Sequence, residues 1–188
     1  MKSPLLLHIC CAPCSTYVVQ TLRTSFHVTG CFYNPNIHPR DEYQLRLKEM
    51  RRYARQIGLD VVELPYDPDH WFEAIQGHEA DPEGGERCVL CYRIRLEPVA
   101  RLARERGYLY FATTLTVSPH KRASTINPLG REIGNREGMT FYEADFKKRE
   151  GFKISCQISR EAGLYRQDYC GCIFSRQERE RRRRHRAS

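Results

Sequence analysis

The stretch L-L-L-H-I-C-C-A-P-C at residues 5–14 constrains the fold more than any other part of this sequence. Its three leucines form an apolar run that is typical of a buried strand in a parallel sheet. Residues 15–22 can form a helix after the proline. Cys10, Cys11 and Cys14 therefore lie at a strand-to-helix turn. Open α/β sheets bind ligands at such turns, and a helix N-terminus there lowers the pKa of thiols.

The cysteine content points to metal or redox chemistry. The chain of 188 residues has nine cysteines. It has no apolar run near the roughly 20 residues that span a bilayer, and no signal peptide is visible, so we expect a cytoplasmic protein. A reducing compartment disfavours structural disulfides, and clustered thiols are then more typical of metal ligands or redox groups. Neither a P-loop nor a dinucleotide motif occurs, so nothing supports a nucleotide cofactor.

Strand-like segments alternate with helical ones along the chain. This alternation predicts parallel β–α units in an α/β fold, a doubly wound three-layer sandwich with a sheet of about five strands. Ser118 followed by Pro119 predicts a further helix N-terminus on the same side of the sheet. We find no internal repeat or linker in residues 1–176, which we predict to be a single domain. After the first, the predicted strands are 28–33, 61–64, 108–114 and 140–142.

The C-terminal segment differs in charge from the rest of the chain. Residues 177–188 carry six arginines against two glutamates, and they contribute +4 of the formal net charge of +8. Such a run is typical of a solvated, disordered tail. It also suits nucleic acid, where each neutralised phosphate of a single strand steepens the salt dependence of binding by about 0.7 log units. Both roles stay open for this arginine-rich tail.

A second pair of thiols can join the first group. Cys88 and Cys91 lie three positions apart at the start of a predicted helix, so both sulfurs can face one metal site. With Cys10 and Cys11 they supply four thiolates, which suit tetrahedral zinc or an iron–sulfur cluster. The side chains of adjacent cysteines diverge and are awkward for a single zinc ion, whereas a cluster has several corners, so iron–sulfur is favoured. Cys14 can be an extra ligand, a proton donor or a packed thiol.

The third thiol pair is of a different kind. Cys170 and Cys172 are separated by one glycine, so a disulfide between them forms a small and strained ring. Strained, accessible disulfides have more oxidising potentials and are often catalytic or regulatory. We interpret the pair as a redox-cycling dithiol, with additional metal ligands or inert thiols as the alternatives.

Three polar residues are weaker candidates for the same site. His120 and Lys121, in the predicted first turn of a helix, could hold a phosphate or donate a proton, or they could simply be solvated. His8 precedes the cysteine pair, and the loop 33–38 points toward the same edge of the sheet.

Five ordered motifs resemble one known family, the QueH-type epoxyqueuosine reductases. The similarity runs from about Leu5 to Ser175 and leaves out only the arginine-rich tail. The motifs are L-L-L-H-I-C-C-A-P-C-S, F-Y-N-P-N-I-H-P, R-C-V-L-C-Y-R-I-R-L, T-T-L-T-V-S-P-H-K and L-Y-R-Q-D-Y-C-G-C-I-F-S.

The resemblance implies an oxidoreductase that completes the synthesis of queuosine, a modified guanosine at the wobble position of certain tRNA anticodons. Such an enzyme reduces an epoxide to an alkene without cobalamin. The implied fold is Rossmann-like and related to HUP domains. The implied cofactors are a [4Fe-4S] cluster and an additional mononuclear iron, whose ligands we cannot name. By position, the cluster ligands fall on Cys10, Cys11, Cys88 and Cys91, and the redox-active pair on Cys170 and Cys172.

This function predicts tRNA and an unidentified electron donor as partners, and no membrane. Recognition of an unpaired anticodon base should use aromatic stacking and basic contacts to phosphates. Tyr33, Tyr92 and Tyr165 are the aromatic candidates.

Two rival interpretations remain at this point. One is a zinc-stabilised RNA-binding module without catalysis. The other is a tRNA thiolation enzyme, which needs an ATP-binding glycine-rich loop where this chain has cysteines.

Overall fold

The computed structural model describes residues 2–187 and contains one parallel sheet. Every strand pairing in it is parallel, and the strand order is β3-β2-β1-β4-β5. The α/β fold with a sheet of about five strands, predicted from the sequence, is thereby confirmed. The strands are β1 (Ser3–Ile9), β2 (Phe26–Phe32), β3 (Val61–Glu63), β4 (Tyr110–Thr113) and β5 (Thr140–Phe141).

Helices cover both faces of this sheet and make the three layers. α1 and α2 belong to one buried apolar cluster, and α4 and α5 to the other. The helices are α1 (Ala12–Arg23), α2 (Arg40–Gln56), α3 (Pro68–Ala74), α4 (Glu86–Glu105), α5 (Ala123–Glu137), α6 (Gly151–Glu161) and α7 (Ile173–Ala187), with a short 3-10 helix at Leu115–Val117.

The central strand β1 is apolar on both faces. Leu5 and Leu7 enter the cluster under α1 and α2, whereas Leu6 enters the cluster under α4 and α5. All three are fully buried. Burying one leucine contributes about 1.5–3 kcal/mol, so the run fixes β1 in the middle of the sheet. It also fixes where β1 ends, and with it the position of the cysteines that follow.

The helix N-terminus predicted at Ser118 and Pro119 is wrong. The hydroxyl of Ser118 accepts a hydrogen bond from the backbone N–H of His120 at 3.3 Å. This bond closes a local turn after the 3-10 helix, a conformation that serine favours in competition with a helix. The helix α5 begins only at Ala123.

The arginine-rich segment is helical, in contrast to the disordered tail that its charge favours. Asp168 pairs with Arg179 and, at 2.7 Å, with Arg183. Along α7, Arg176 and Glu180 pair at 3.1 Å in an i,i+4 arrangement that supports a helix. The boundary predicted between residues 176 and 177 falls within α7, and the division of the chain there stays a prediction.

Across residues 2–187 no helix combines the length and the apolar character that a membrane crossing needs.

Candidate thiol site at the carboxyl edge of the sheet

Three thiols converge where β1 ends and α1 begins. The Sγ atoms of Cys10, Cys11 and Cys14 all lie within 4.8 Å of one another, and those of Cys10 and Cys11 are 3.7 Å apart. Cys11 is the N-cap of α1 in an extended conformation, and Pro13 follows in the first turn. We call these three residues the thiol trio. They converge because one strand-to-helix turn carries all three.

Neighbouring chain segments hold the trio in place. The Thr114 hydroxyl accepts a hydrogen bond from the backbone N–H of Cys10 at 3.1 Å and donates one to the Cys10 sulfur at 3.3 Å. The Gln167 side-chain amide donates to the Cys11 sulfur at 3.1 Å. Donors aimed at sulfur stabilise thiolates, so the surroundings suit metal-binding cysteines.

The three thiols of the trio differ in pKa. Hydrogen bonds from the Cys11 and Cys14 thiols lower the pKa of Cys10 well below its usual range. Burial raises the pKa of Cys11, and the hydrogen bonds to its two neighbours raise that of Cys14. The trio therefore favours a single thiolate, on Cys10, held by two thiol donors.

Four further thiols surround a second, small cavity. Cys88 and Cys91 come from the first turns of α4, and Cys170 and Cys172 from the loop before α7. We call these four the thiol quartet. All four are free thiols. Burial raises the pKa of Cys88 and Cys172 and raises that of Cys91 to about 12.

A buried arginine holds the loop that carries Cys170 and Cys172. Arg46 of α2 donates to the Cys170 carbonyl at 2.9 Å and to the Tyr169 carbonyl at 3.3 Å. Its guanidinium also pairs with Glu42 at 2.7 Å, and only 2% of its side chain is exposed. From the other side, the backbone N–H of His38 donates to the Gly171 carbonyl at 2.8 Å. The loop is thus fixed by contacts with distant parts of the chain.

A larger cavity of about 360 Å³ lies beside the trio. Cys10, Cys14 and Cys170 line it, and Cys170 also lines the small cavity, so this residue connects the trio with the quartet. A volume of this size is in the usual range for small-molecule sites. The larger cavity is therefore a candidate binding site for the reacting part of a substrate.

Cationic side chains surround the sulfurs in this cavity. Arg95 is almost fully buried and donates to the Asn34 side-chain oxygen at 2.7 Å, while its Nε has no partner among the described residues. Its guanidinium interacts electrostatically with both Cys91 and Cys10, one from each thiol group. Burial opposes protonation of Lys121, but the sulfurs of Cys170 and Cys10 raise its pKa overall. The cavity thus combines soft sulfur ligands with fixed positive charge.

The four predicted cluster ligands fall into two groups. Among the described residues, the set of three or more candidate ligand atoms within 4.8 Å is the trio. Cys88 and Cys91 stand outside it, and Arg95 interacts with a sulfur of each group. A cluster with several irons separates its thiolates more widely than a single ion does. The shared ligand set of Cys10, Cys11, Cys88 and Cys91 therefore stays a prediction.

Of the weaker candidates, His8 lies away from the cavity, whereas His120 and Lys121 lie in its wall. His8 is fully buried, with Nδ1 at 2.9 Å from the Thr113 hydroxyl and Nε2 at 3.2 Å from the Tyr33 carbonyl oxygen. Burial lowers the pKa of His8 to about 3, so it is a neutral structural histidine. His120 and Lys121 both line the larger cavity, although no helix begins there.

The three tyrosines suggested for base stacking are poorly placed for it. Tyr33 is 7% exposed and Tyr92 is 6% exposed, so both rings are buried. Tyr165 is half-buried, and its hydroxyl donates to Glu42 at 3.0 Å. None of the three lines the larger cavity.

Sequence reasoning missed several residues that line or support the site. Arg46, Arg95, Thr114 and Gln167 contact the thiols or their loops, and Phe152 lies in the wall of the larger cavity. Arg95, Thr114 and Gln167 lie within the motifs quoted above, but the motifs do not show that these side chains reach the sulfurs. Arg46 and Phe152 lie outside the motifs, and no local pattern distinguishes them from ordinary surface or helix residues.

The fold and the site together define a class. The protein is an α/β protein whose parallel sheet carries a cysteine-rich site at the first strand-to-helix turn, with cations and two further thiol pairs around it.

Comparison with known proteins narrows this class. The profile of the family described as "Epoxyqueuosine reductase QueH" matches residues 5–178. The chain is similar to the epoxyqueuosine reductase QueH of Streptococcus pyogenes serotype M1, with 37% identity over 93% of this chain and 71% of the relative. It is also 37% identical to the protein of that name from Thermotoga maritima, over 93% of this chain and 91% of the relative.

A solved structure shares the fold. It is the U34-tRNA thiolase NcsA from Methanococcus maripaludis with its [4Fe-4S] cluster. The match covers 93% of this chain and 61% of the thiolase chain, with a TM-score of 0.59. At 10% identity this likeness concerns the fold alone.

The chain belongs to the epoxyqueuosine reductase QueH family, and the resemblance stated from the motifs is confirmed. The protein is by family an oxidoreductase of tRNA queuosine biosynthesis.

Proposed function

We propose that the protein reduces epoxyqueuosine to queuosine at the wobble position of tRNA anticodons, with an iron–sulfur cluster and a redox-active cysteine pair. The family match over residues 5–178 is the observation on which this proposal rests. Cys10, Cys14 and Cys170 in the wall of one cavity support it, because they bring candidate metal ligands and a candidate redox thiol to one place.

The residues present fit an iron–sulfur cluster. The donor set is sulfur throughout, which suits soft and borderline metals, and the neighbouring arginines can balance the negative charge of several thiolates. We assign the cluster, of the [4Fe-4S] type, to Cys10, Cys11, Cys88 and Cys91. When bound, such a cluster supplies single-electron transfer. Cys14 is the trio thiol left over, and it is the candidate contact for an additional mononuclear iron.

Oxidation of the cysteine pair can supply the electrons and protons that the reaction consumes. Converting an epoxide into an alkene and water takes two electrons and two protons. Oxidation of the Cys170 and Cys172 thiols to a disulfide releases two electrons and two protons, so one dithiol matches one epoxide. An external reductant, the unidentified electron donor, must then restore the two thiols.

The cationic side chains have a role in the same step. Negative charge develops on the epoxide oxygen as each C–O bond breaks. The Lys121 ammonium, held protonated beside Cys10 and Cys170, can donate a hydrogen bond to that oxygen, as preorganised donors do in other active sites. The buried Arg95 contributes a fixed positive charge at the same wall.

An anaerobic assay tests the function. Iron-reconstituted protein is incubated with tRNA that contains epoxyqueuosine and with a chemical reductant, and the nucleosides are analysed by mass spectrometry. We expect conversion of epoxyqueuosine to queuosine. Iron-loaded, folded protein that leaves the epoxide intact contradicts the proposal.

One observation favours a second candidate, a zinc-stabilised RNA-binding module. Three sulfurs within 4.8 Å suit a single tetrahedral ion. Metal analysis and visible absorption of anaerobically purified protein separate the two candidates. Brown protein containing iron supports the reductase, and colourless protein containing zinc supports the module.

A further inference from the structure

An exposed aromatic side chain lies at the larger cavity without a structural role of its own. Phe152 is 38% exposed, and no described aromatic ring stacks on it. Of the four large apolar side chains that are exposed within residues 2–187, it is the one that lines this cavity. Its ring is therefore available to a molecule that enters the cavity.

The backbone fixes this phenylalanine in position. Arg149 and Glu150 both have positive φ angles, 50° and 61°, which residues other than glycine seldom adopt. Gly151 then starts α6, and a Cβ atom on it would lie 1.8 Å from the Phe146 carbonyl oxygen. This close approach holds the start of α6 against the preceding loop, so Phe152 sits on a rigid base. Strained backbone of this kind is often found at functional sites.

The charge around the same cavity is positive on balance. Its cationic lining residues outnumber the anionic ones by six to three. The cations are Arg46, Arg95, Lys121, Arg166, Arg179 and Arg182, and the anions are Glu83, Asp168 and Glu178.

Two of these cations are exposed and poorly neutralised. Arg166 is exposed and has no ion-pair partner within residues 2–187. The Arg182 side chain is 70% exposed, and its contact with Glu178 is long, at 3.9 Å. Arg179, by contrast, is paired with Asp168. Arg166 and Arg182 are thus the cations free to meet an anionic partner.

We propose that Phe152, Arg166 and Arg182 form a docking surface for the single-stranded loop of the anticodon. A base next to the wobble nucleotide stacks on the Phe152 ring while the modified base enters the cavity, and the two arginines contact the backbone phosphates. Stacking platforms beside basic residues are the usual way in which proteins bind unpaired RNA. This inference rests on the proposed function, because that function supplies the RNA.

Binding of an anticodon stem-loop RNA to the purified full chain tests the role of Phe152. Phe152→Ala should weaken binding about tenfold, as expected for the loss of one stacked base, while Phe152→Tyr should retain it. Leu109→Ala is the control, because Leu109 is 57% exposed next to β4 at the opposite edge of the sheet. Equal affinities for Phe152→Ala and the unchanged protein overturn the proposal, and so does equally tight binding of a fully duplex RNA.

The salt dependence of the same binding tests the arginines. Arg166→Gln and Arg182→Gln should each lower the slope of log affinity against log salt by about 0.7, which is the loss of one phosphate contact on a single strand. Arg101→Gln, an exposed arginine toward the other end of α4, should leave the slope unchanged. An unchanged slope in both cavity variants contradicts the proposal.

Epoxide reduction is measured separately in the same variants. Normal reduction with unchanged RNA binding in every variant refutes the docking surface and leaves the reductase intact. Loop-specific binding that depends on Phe152, without reduction by the unchanged protein, refutes the reductase and leaves the docking surface.

Discussion

The thiol trio and the thiol quartet are built in opposite ways. One turn between β1 and α1 carries all three sulfurs of the trio, within five consecutive residues of the chain. The quartet joins the start of α4 to a loop some eighty residues later, and Arg46 of α2 fixes that loop. The trio thus depends on local geometry, and the quartet on correct tertiary packing. The proposed cluster takes two ligands from each group, so binding of the metal depends on the local turn and on the tertiary packing together, whereas the redox pair Cys170 and Cys172 depends on the packing alone.

The largest expected loss of activity tests whether the trio and the quartet share one metal centre. Cys10→Ser and Cys88→Ser should each lower epoxide reduction by at least about 100-fold and reduce the iron content, since each removes a proposed ligand. Iron analysis after anaerobic reconstitution checks this. Cys31→Ala, at a buried thiol in β2 outside the site, is the control. If Cys88→Ser keeps a full complement of iron, the trio binds its metal without the quartet.

The next prediction is a loss of repeated turnover without a loss of iron, which separates electron supply from metal binding. Cys172→Ser should stop multiple turnovers but leave the iron content unchanged, because serine cannot form the disulfide. Nucleoside mass spectrometry over several equivalents of tRNA measures the turnovers. Cys31→Ala, at the buried thiol in β2 that lines neither cavity, should behave like the unchanged protein. Normal turnover in Cys172→Ser removes the dithiol from the mechanism.

The electrostatic difference predicts selective alkylation. The pKa of Cys10 is low and that of Cys172 is raised, and only thiolates react with iodoacetamide. In chelator-treated protein at neutral pH, Cys10 should react at least about tenfold faster than Cys172. The difference between the two alkylation rates should become smaller as the pH rises past about 8.5, where an ordinary thiol ionises. Peptide mass spectrometry measures both rates, and equal rates at neutral pH contradict the assignment.

A smaller effect tests the tertiary support of the quartet. Arg46→Met leaves Glu42 without its buried partner and should lower the free energy of unfolding by about 3–5 kcal/mol. Arg51→Met breaks an exposed pair with Glu63 and should cost less than about 1 kcal/mol. Urea denaturation measures both. Equal losses would mean that Arg46 is not a structural support of the loop.

The smallest effect concerns the end of α7. A chain that ends after Arg176 lacks the whole arginine-rich tail, Arg182 included, and it should bind tRNA more weakly and with a lower salt slope. The same measurements on the full chain are the reference. If both affinity and slope are unchanged, the segment is merely solvated.

The sequence predicts the sheet well and the site only in part. Leu5 to Leu7 identify β1 because a strand buried on both faces leaves a continuous apolar run, and the trio follows from its end. The helix start expected at Ser118 fails because a serine can also close a turn. Arg46 belongs to the site through hydrogen bonds to Tyr169 and Cys170, and Phe152 through a cavity wall that several chain segments build, and no local pattern records either. The charge of α7 was visible in the sequence, but its pairing with Asp168 was not.

The position of Cys170 between the two cavities has a kinetic consequence. If Cys170 and Cys172 are the redox pair, an RNA loop that fills the larger cavity covers the sulfur that an incoming reductant must attack. Regeneration then waits until the modified tRNA has left. The enzyme should follow ping-pong kinetics, and excess tRNA should slow its own conversion by keeping the spent dithiol out of reach.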